Sequence, residues 1–257
     1  MPQPRKATRI RCALNRKEFA REIYRPGVIS LTRILWGSLG GGLLLALIAA
    51  LSQATGVAVL FPPLAATCFI NSICVYLRVA RPKPVIVGHF IAALCGLAGK
   101  AIGGALSGSP ELATPLALGA AVLLAAIAMQ VFDADHPPAA ATAAIPAILP
   151  LPMDPLLFPV YMAWGATLTV LFSIAWNRVG FEFPVQDEEN SHRTAGLFMP
   201  RPQILGLGLC TLGFVLMCCK QIAPSVYFVG CGGMLLGVAV MGTHHFRCVE
   251  LTRECNE

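Results

Sequence analysis

Six apolar runs of near membrane-crossing length leave this chain few folds to choose from. They are Ile34–Leu51, Val85–Leu106, Thr114–Phe132, Leu156–Trp176, Ile204–Cys219 and Ser225–Met241. A helix needs about 20 apolar residues to cross a bilayer. Inside lipid every backbone polar group must be paired within the protein, so such runs are read as helices. Composition agrees: 56% of the residues are hydrophobic and 12% charged, where a soluble domain carries about 25% charged. The expected fold class is an all-α membrane protein, a polytopic helix bundle.

Two shorter apolar stretches interrupt this series, and they resemble each other. "FPPLAATCFI" begins at Phe61, and "HPPAAATAAI" begins at His136, about 75 residues later. Aligned on the proline pairs, Pro62-Pro63 matches Pro137-Pro138, Ala65-Ala66 matches Ala140-Ala141, and Thr67 matches Thr142. Proline suits the first helical turn, where its missing N–H would have had no partner. Each pair is therefore expected to start a helix, over Pro63–Leu77 and Pro138–Leu149. Twelve to fifteen helical residues reach only about 18–23 Å, short of a hydrocarbon core of about 30 Å. Each is expected to be half a crossing, completed by extended chain.

The same offset relates the flanking spans. It carries Ile34–Leu51 onto Thr114–Phe132, the fourth element once the first broken stretch is counted, and Val85–Leu106 onto Leu156–Trp176. The repeating unit is span, Pro-Pro broken helix, span, over about 34–106 and 114–179. Loop charges give the direction. Nine Lys or Arg residues precede Ile34, "LRVARPKP" (Leu77–Pro84) is basic, and Asn177–Pro202 carries Arg178, Arg193 and Arg201. These segments and the C-terminal tail, 243–257, are expected in the cytoplasm. "SGSPELAT" (Ser107–Thr114) and "PMDP" (Pro152–Pro155) are expected outside. Three crossings per unit turn the second unit upside down, and an inverted repeat with interrupted helices is a transporter or channel pattern. Only "DAD" separates the fourth span from His136, so the second broken helix should start nearer the membrane surface than the first.

The remaining segments complete the organisation. Residues 1–33 form a basic N-terminal segment, 180–202 a linker, and 203–242 two further spans. Leu14–Arg25 has the stripe of a helix lying on the inner membrane surface. A basic stretch of more than thirty residues precedes the first apolar run, a pattern unlike a signal peptide. The chain is expected in the cell inner (plasma) membrane, multi-pass, with a cytoplasmic N-terminus. Its ten cysteines show no C-x-x-C pair and mostly sit in apolar runs, as packing residues do. Gly37-x-x-x-Gly41, Gly99-x-x-x-Gly103 and Gly233-x-x-x-Gly237 allow close helix contacts and a possible homodimer.

The candidate site gathers at the repeated motif. Two helix N-termini aimed at each other would offer free N–H groups and partial positive charge. The small Ala65 and Ala140 would let backbone approach, and Thr67 and Thr142 would add hydroxyls. Such a site suits a small anion, with Pro62, Pro63, Pro137 and Pro138 forming the helix starts. Three ionisable residues lie in or beside apolar segments: His89, Lys100 and His136. Lys100 could snorkel outward or add positive potential to an anion path. His136 could cap its helix or take up a proton. His89 reads best as a hydrogen-bonded packing residue. No metal site and no cofactor are expected.

"DADHPPAAATA" (Asp133–Ala143), "FPPLAAT" (Phe61–Thr67), "RPKPVIVGHFIAALCG" (Arg81–Gly96) and "AWNRV" (Ala175–Val179) stand in a familiar order. Together they resemble the HPP integral membrane protein family, named for its His-Pro-Pro signature. The resemblance covers about Arg33 to Val179 and leaves the last two spans outside. It implies a membrane domain over 34–179 and, from members implicated in nitrite transport, nitrite as the anion. An intramembrane enzyme would need a nucleophile–base pair or a carboxylate-rich metal site, and the spans offer neither spacing. A sensor or assembly protein without transport, or a carrier of another small solute, is the competing reading. The sensor or assembly protein has no use for a duplicated broken helix.

Overall fold

The structure is a computed structural model that describes residues 9–11, 28–74, 77–180, 193–194 and 197–254. The surface helix expected over Leu14–Arg25 lies outside the described residues. Among the described residues eight helices follow one another: α1 (Leu31–Thr55), α2 (Pro62–Ile73), α3 (Pro82–Leu106), α4 (Pro110–Val131), α5 (Pro137–Ile148), α6 (Phe158–Gly180), α7 (Arg201–Met217) and α8 (Pro224–Glu254). Two short strand pairings accompany them. β1 (Arg9–Arg11) runs parallel to β2 (Val28–Ser30), and β3 (Arg193–Thr194) runs antiparallel to β4 (Leu197–Phe198). Five helices contain a stretch long and apolar enough to cross a membrane, and α7 is a shorter apolar helix. This is an all-α polytopic membrane protein.

α2 and α5 have 12 residues each, about 18 Å of helix, and so are half-crossings as the sequence predicts. Each starts at the first proline of its pair. The residue before that proline is extended in both, Phe61 at φ −116° and ψ 147° and His136 at φ −140° and ψ 98°, because a following proline disfavours the helical region. α2 ends at Ile73, four residues before the expected Leu77. There the chain leaves the helix and makes a 3-10 turn, Arg78–Ala80, that leads into Pro82.

Side-chain neighbours fix the direction of every element. Gly37 at the start of α1 lies against Ile73 and Ser72 at the end of α2, and Gly41 lies against Cys68. α2 therefore runs back toward the start of α1. Trp36 stacks on Trp176 near the end of α6, with centroids 4.2 Å apart. Asn177 donates to the Asn71 carbonyl at 2.9 Å, and Asn71 donates to the Ala80 carbonyl at 3.3 Å. The start of α1, the end of α2, the start of α3 and the end of α6 thus share one end of the bundle. Gly99 and Gly103 of α3 press on Ala121 and Ala117 of α4, and Gly96 presses on Ala143 of α5. α4 therefore returns to that same end, and α5 sets out from it alongside α3.

The two units are inverted. α1 leaves the shared end and α4 arrives there; α2 approaches it and α5 departs from it; α3 leaves and α6 arrives. They are also interlocked: α3 packs on α4 and α5, and α6 packs on α1 and α2. α1 and α4 show apolar side chains outward, Leu35, Leu39, Leu43 and Leu47 on one and Leu112, Leu116, Leu123 and Ile127 on the other. α3 and α6 are more buried in the centre. Arg33, Arg78, Lys83, Arg178 and Arg201 fall at the shared end, while Ser109, Glu111, Asp154 and Lys220 fall at the opposite one.

α7 and α8 form an antiparallel hairpin against this core. Gly213 meets the backbone of Gly230 and Met234, and Gly206 meets Gly237 and Met241. At the opposite end Lys220 donates to the Gly56 carbonyl and the Tyr161 hydroxyl, both at 2.7 Å. Tyr161 and Tyr227 share a hydrogen bond of 3.0 Å. All three glycine motifs are used inside the chain: Gly37 and Gly41 against α2, Gly99 and Gly103 against α4, Gly233 and Gly237 against α7. They therefore say nothing for a dimer. Cys68, Cys74, Cys95, Cys210, Cys218, Cys219 and Cys231 are free thiols, consistent with packing roles.

Two predictions follow from this packing. Single cysteines at Ser109 and Asp154, in a background lacking the native thiols, should react with an impermeant reagent from one side of the membrane, and Arg78→Cys, exposed at the end that also holds Lys83, from the other. Labelling of Ser109→Cys and Arg78→Cys from the same face would break the inverted arrangement. A Cβ at Gly99 would lie 2.5 Å from Ala121 backbone, whereas Gly104 faces open space. Gly99→Val should then cost about 1–3 kcal/mol of stability by overpacking and lower the melting temperature of the purified protein. Gly104→Ala should leave it nearly unchanged.

Candidate functional site

The first turns of α2 and α5 differ from the expected donor-rich helix ends. An α-helix leaves its first four N–H groups without helical partners. In α2, Pro62 and Pro63 have no N–H. Leu64 N–H bonds to the Phe61 carbonyl at 3.0 Å, and Phe61 N–H bonds to Val59 at 2.8 Å. In α5, Pro137 and Pro138 again have none, and Ala139 N–H bonds to the His136 carbonyl at 2.8 Å. The Pro-Pro pair thus removes the very donors that an anion would have used. The partial positive charge of the helix end persists, but without N–H groups to aim at a ligand.

What the two broken helices present instead is side chains. Thr67, His89, His136 and Thr142 form one cluster, each no more than 1% exposed. Thr67 Oγ1 lies 2.7 Å from His89 Nε2 and 3.0 Å from His136 Nε2. His89 Nδ1 lies 2.8 Å from Thr142 Oγ1. His136 Nδ1 lies 2.7 Å from the Val79 carbonyl. The two rings meet edge-on, with centroids 5.1 Å apart. The matched threonines of the two repeats are thus joined through one imidazole on α3. His89 sits about 10 Å along α3 from its start, at 1.5 Å per residue. The cluster therefore lies inside the bundle, yet nearer the basic end.

Hydrogen positions can be assigned from this network. A carbonyl only accepts, so His136 Nδ1 carries a hydrogen toward Val79. In the neutral ring Nε2 is then a bare acceptor, and the Thr67 hydroxyl must donate to it. Thr67 in turn accepts from His89 Nε2–H. That leaves His89 Nδ1 bare, and it accepts from the Thr142 hydroxyl. The direction of all four hydrogen bonds follows from one backbone carbonyl. Thr67 has one further neighbour, the Pro63 carbonyl at 3.0 Å.

The turns that bear this cluster are pinned to each other. α4 ends in a Schellman arrangement: Ala134 N–H reaches the Met129 carbonyl at 2.8 Å and Asp133 N–H reaches Gln130 at 3.0 Å. Asp133 takes the left-handed position at φ 51°, which aspartate tolerates better than most residues. Its carboxylate pairs with Arg78, and Lys83 approaches it at 3.6 Å. One repeat's 3-10 turn therefore grips the other repeat's helix start twice, through Arg78–Asp133 and through Val79–His136.

The structure brings together four of the sequence-derived candidates and leaves others aside. Pro63 and Pro138 are buried at the helix starts, while Pro62 and Pro137 are exposed; Ala65 and Ala140 are half-buried. Lys100 is exposed on α3, about 16 Å of helix beyond His89, and takes no part in the cluster. His89, read as a packing residue, is the centre of the network. Sequence reasoning missed the Val79 carbonyl, which has no side-chain signal. It also missed Asn71 and Asn177, buried amides that brace the basic end. Two asparagines within apolar runs were the available clue to these. Among the described residues no group of His, Cys, Asp and Glu could hold a metal ion.

No curated protein and no solved structure matches the chain. The family described as HPP, transmembrane region, matches residues 26–184, the stretch that holds α1 to α6 and all four cluster residues. That is well over half of the chain, which is therefore a member of the HPP transmembrane family.

Proposed function

We propose that this integral membrane protein carries a small inorganic anion, nitrite by family resemblance, across the cell inner membrane. The observation behind this reading is the buried polar cluster at the crossing of two inverted broken helices. Polar side chains within a membrane domain are costly and mark solute paths or proton relays. Inverted repeats with discontinuous helices place substrate sites at the repeat interface. Thr67 and Thr142 come from matched positions of the two repeats, and His89 joins them.

An anion suits the charge pattern better than a cation. No carboxylate belongs to the cluster, and α2 and α5 have no charged side chain at all. Arg78 and Lys83 flank the basic end, where positive-inside orientation puts the cytoplasm. The cluster is closed to solvent on both sides, which favours a carrier that opens by shifting one repeat against the other over an open pore. With the helix-end donors removed, hydroxyls and imidazole N–H groups supply the contacts.

Uptake of nitrite into proteoliposomes tests the proposal. Loss of one hydrogen-bonding group from a buried site costs about 1–3 kcal/mol, or roughly five- to a hundredfold in binding. Thr67→Val and Thr142→Val should each lower uptake by that order while the purified protein stays folded. Unchanged uptake in the folded double variant would return both threonines to packing. No uptake by the wild type, with nitrite or other small anions, would favour a sensor or assembly role.

A further inference from the structure

The cluster contains more acceptors than hydrogens, and Thr67 is where the shortage falls. Its single hydroxyl hydrogen has three possible destinations: His136 Nε2, His89 Nε2 and the Pro63 carbonyl. With both rings neutral, the hydrogen must point at His136. If His136 Nε2 gains a proton, the same hydrogen must leave. Pro63 O then receives it at 3.0 Å, and Thr67 Oγ1 accepts from both rings. Each atom of the cluster thus keeps a partner in both states, and the exchange needs only a hydroxyl rotation. A group that served packing alone would have one satisfied arrangement rather than two.

We propose that the Thr67–His89–His136 cluster takes up one proton together with each anion, Thr67 turning its hydroxyl between His136 and Pro63 as that proton arrives and leaves. The inference rests on the anion-carrier reading above. The proton adds to the His136 Nε2 lone pair, forming an N–H bond; no covalent bond to carbon or oxygen breaks, and the proton departs the same way. The coupling is electrostatic. A buried charge without a partner is strongly disfavoured, so an imidazolium alone and an anion alone each enter poorly. Together they form a neutral pair. By linkage each then raises the affinity for the other equally.

The surroundings leave His136 as the place where the charge changes. Arg78 on the 3-10 turn and Lys83 on α3 both face Asp133, two cations against one carboxylate, and none of the three belongs to the cluster. Arg81 stands between them in sequence, and Asp135 directly precedes His136. α2 and α5 bring no charge. On α6 the only charged side chain is Arg178, near its end. α8 approaches α3 where Gly242 lies against Val87 and Phe132, and the sequence places His244 and His245 just after it. His89 is the only other titratable ring within the cluster.

Two measurements on the full chain test this. Histidine labelled with nitrogen-15, in protein held in nanodiscs, reports each imidazole nitrogen across pH. His89 and His136 should take up a single proton between them; Thr67→Val should split them into separate titrations, and Thr67→Ser should restore the shared one. Independent titration in the wild type, or no change in Thr67→Val, would overturn the shared proton. The second measurement uses sodium nitrite and a pH dye trapped in proteoliposomes, with protein-free vesicles subtracted for nitrous acid leak. One proton should enter per nitrite. His136→Gln, which can still donate to Val79 and accept from Thr67, should fold normally but lose most nitrite uptake, and the remainder should not respond to an imposed pH gradient. Nitrite entry without proton entry would sink the coupling and leave the carrier standing. A shared proton in the rings with no nitrite entry in the wild type would sink the carrier and the coupling together.

Discussion

Unpaired backbone N–H groups cannot be left in lipid, and the two Pro-Pro pairs are this protein's answer. A helix that begins inside a bundle exposes donors that water would satisfy elsewhere. Placing proline at the first two positions deletes two of them, and the N-cap carbonyl takes the third. Only then can a 12-residue helix start within the bundle without a ligand to complete it. The interrupted architecture depends on this. Without it α2 and α5 would have to lengthen into ordinary spans or unravel, and the inverted units would lose the crossing at which the cluster forms.

The same device decides what the site is made of. Transporters with broken helices often use the bare helix ends for the ligand. Here those ends are sealed, so polarity comes from threonine hydroxyls and imidazoles in the second turn and on the neighbouring helix. Their geometry is held from outside the membrane-spanning segments. Val79 and Arg78 on one turn hold His136 and Asp133 on another. A rearrangement that separated these turns would break the Val79–His136 bond and the ion pair at once. It would also free the His136 tautomer that orders the cluster.

Much of the fold could be read from the sequence because lipid punishes ambiguity. Apolar runs, proline pairs and basic loops marked the eight helices of the described residues and their inverted order, with most ends shifted by a few residues; α8 instead runs on to Glu254, well past the expected Met241. The end of α2 was misplaced because it is set by tertiary contacts: Asn71 and Ser72 meet α1, α6 and the 3-10 turn, and none of these is local. At the site, Thr67, His136 and Thr142 were visible because the duplication marks them. The central role of His89 was not, since a lone histidine in an apolar helix carries no spacing signal. Nor could the loss of helix-end donors be weighed correctly. Proline was recognised as a starter, and its consequence for an anion site emerged only when each N–H was traced to its acceptor.

The repeat is a scaffold whose two halves have diverged at their chemistry. The offset that pairs Thr67 with Thr142 pairs His136 with Phe61 and His89 with Trp164. Phe61 packs edge-on against Phe158, with centroids 5.5 Å apart. Trp164 is buried and donates to the Phe214 carbonyl of α7 at 3.3 Å. At equivalent places, then, each repeat supplies one imidazole to the cluster and one aromatic packing residue elsewhere, Trp164 seating the α7–α8 hairpin. Symmetry builds the crossing, and departure from symmetry confines titratable groups to one side of it. A carrier with histidine also at Phe61 and Trp164 would hold two such clusters, with two charges repelling across the axis. Keeping one leaves a site that can change by a single charge, which a monovalent anion can balance.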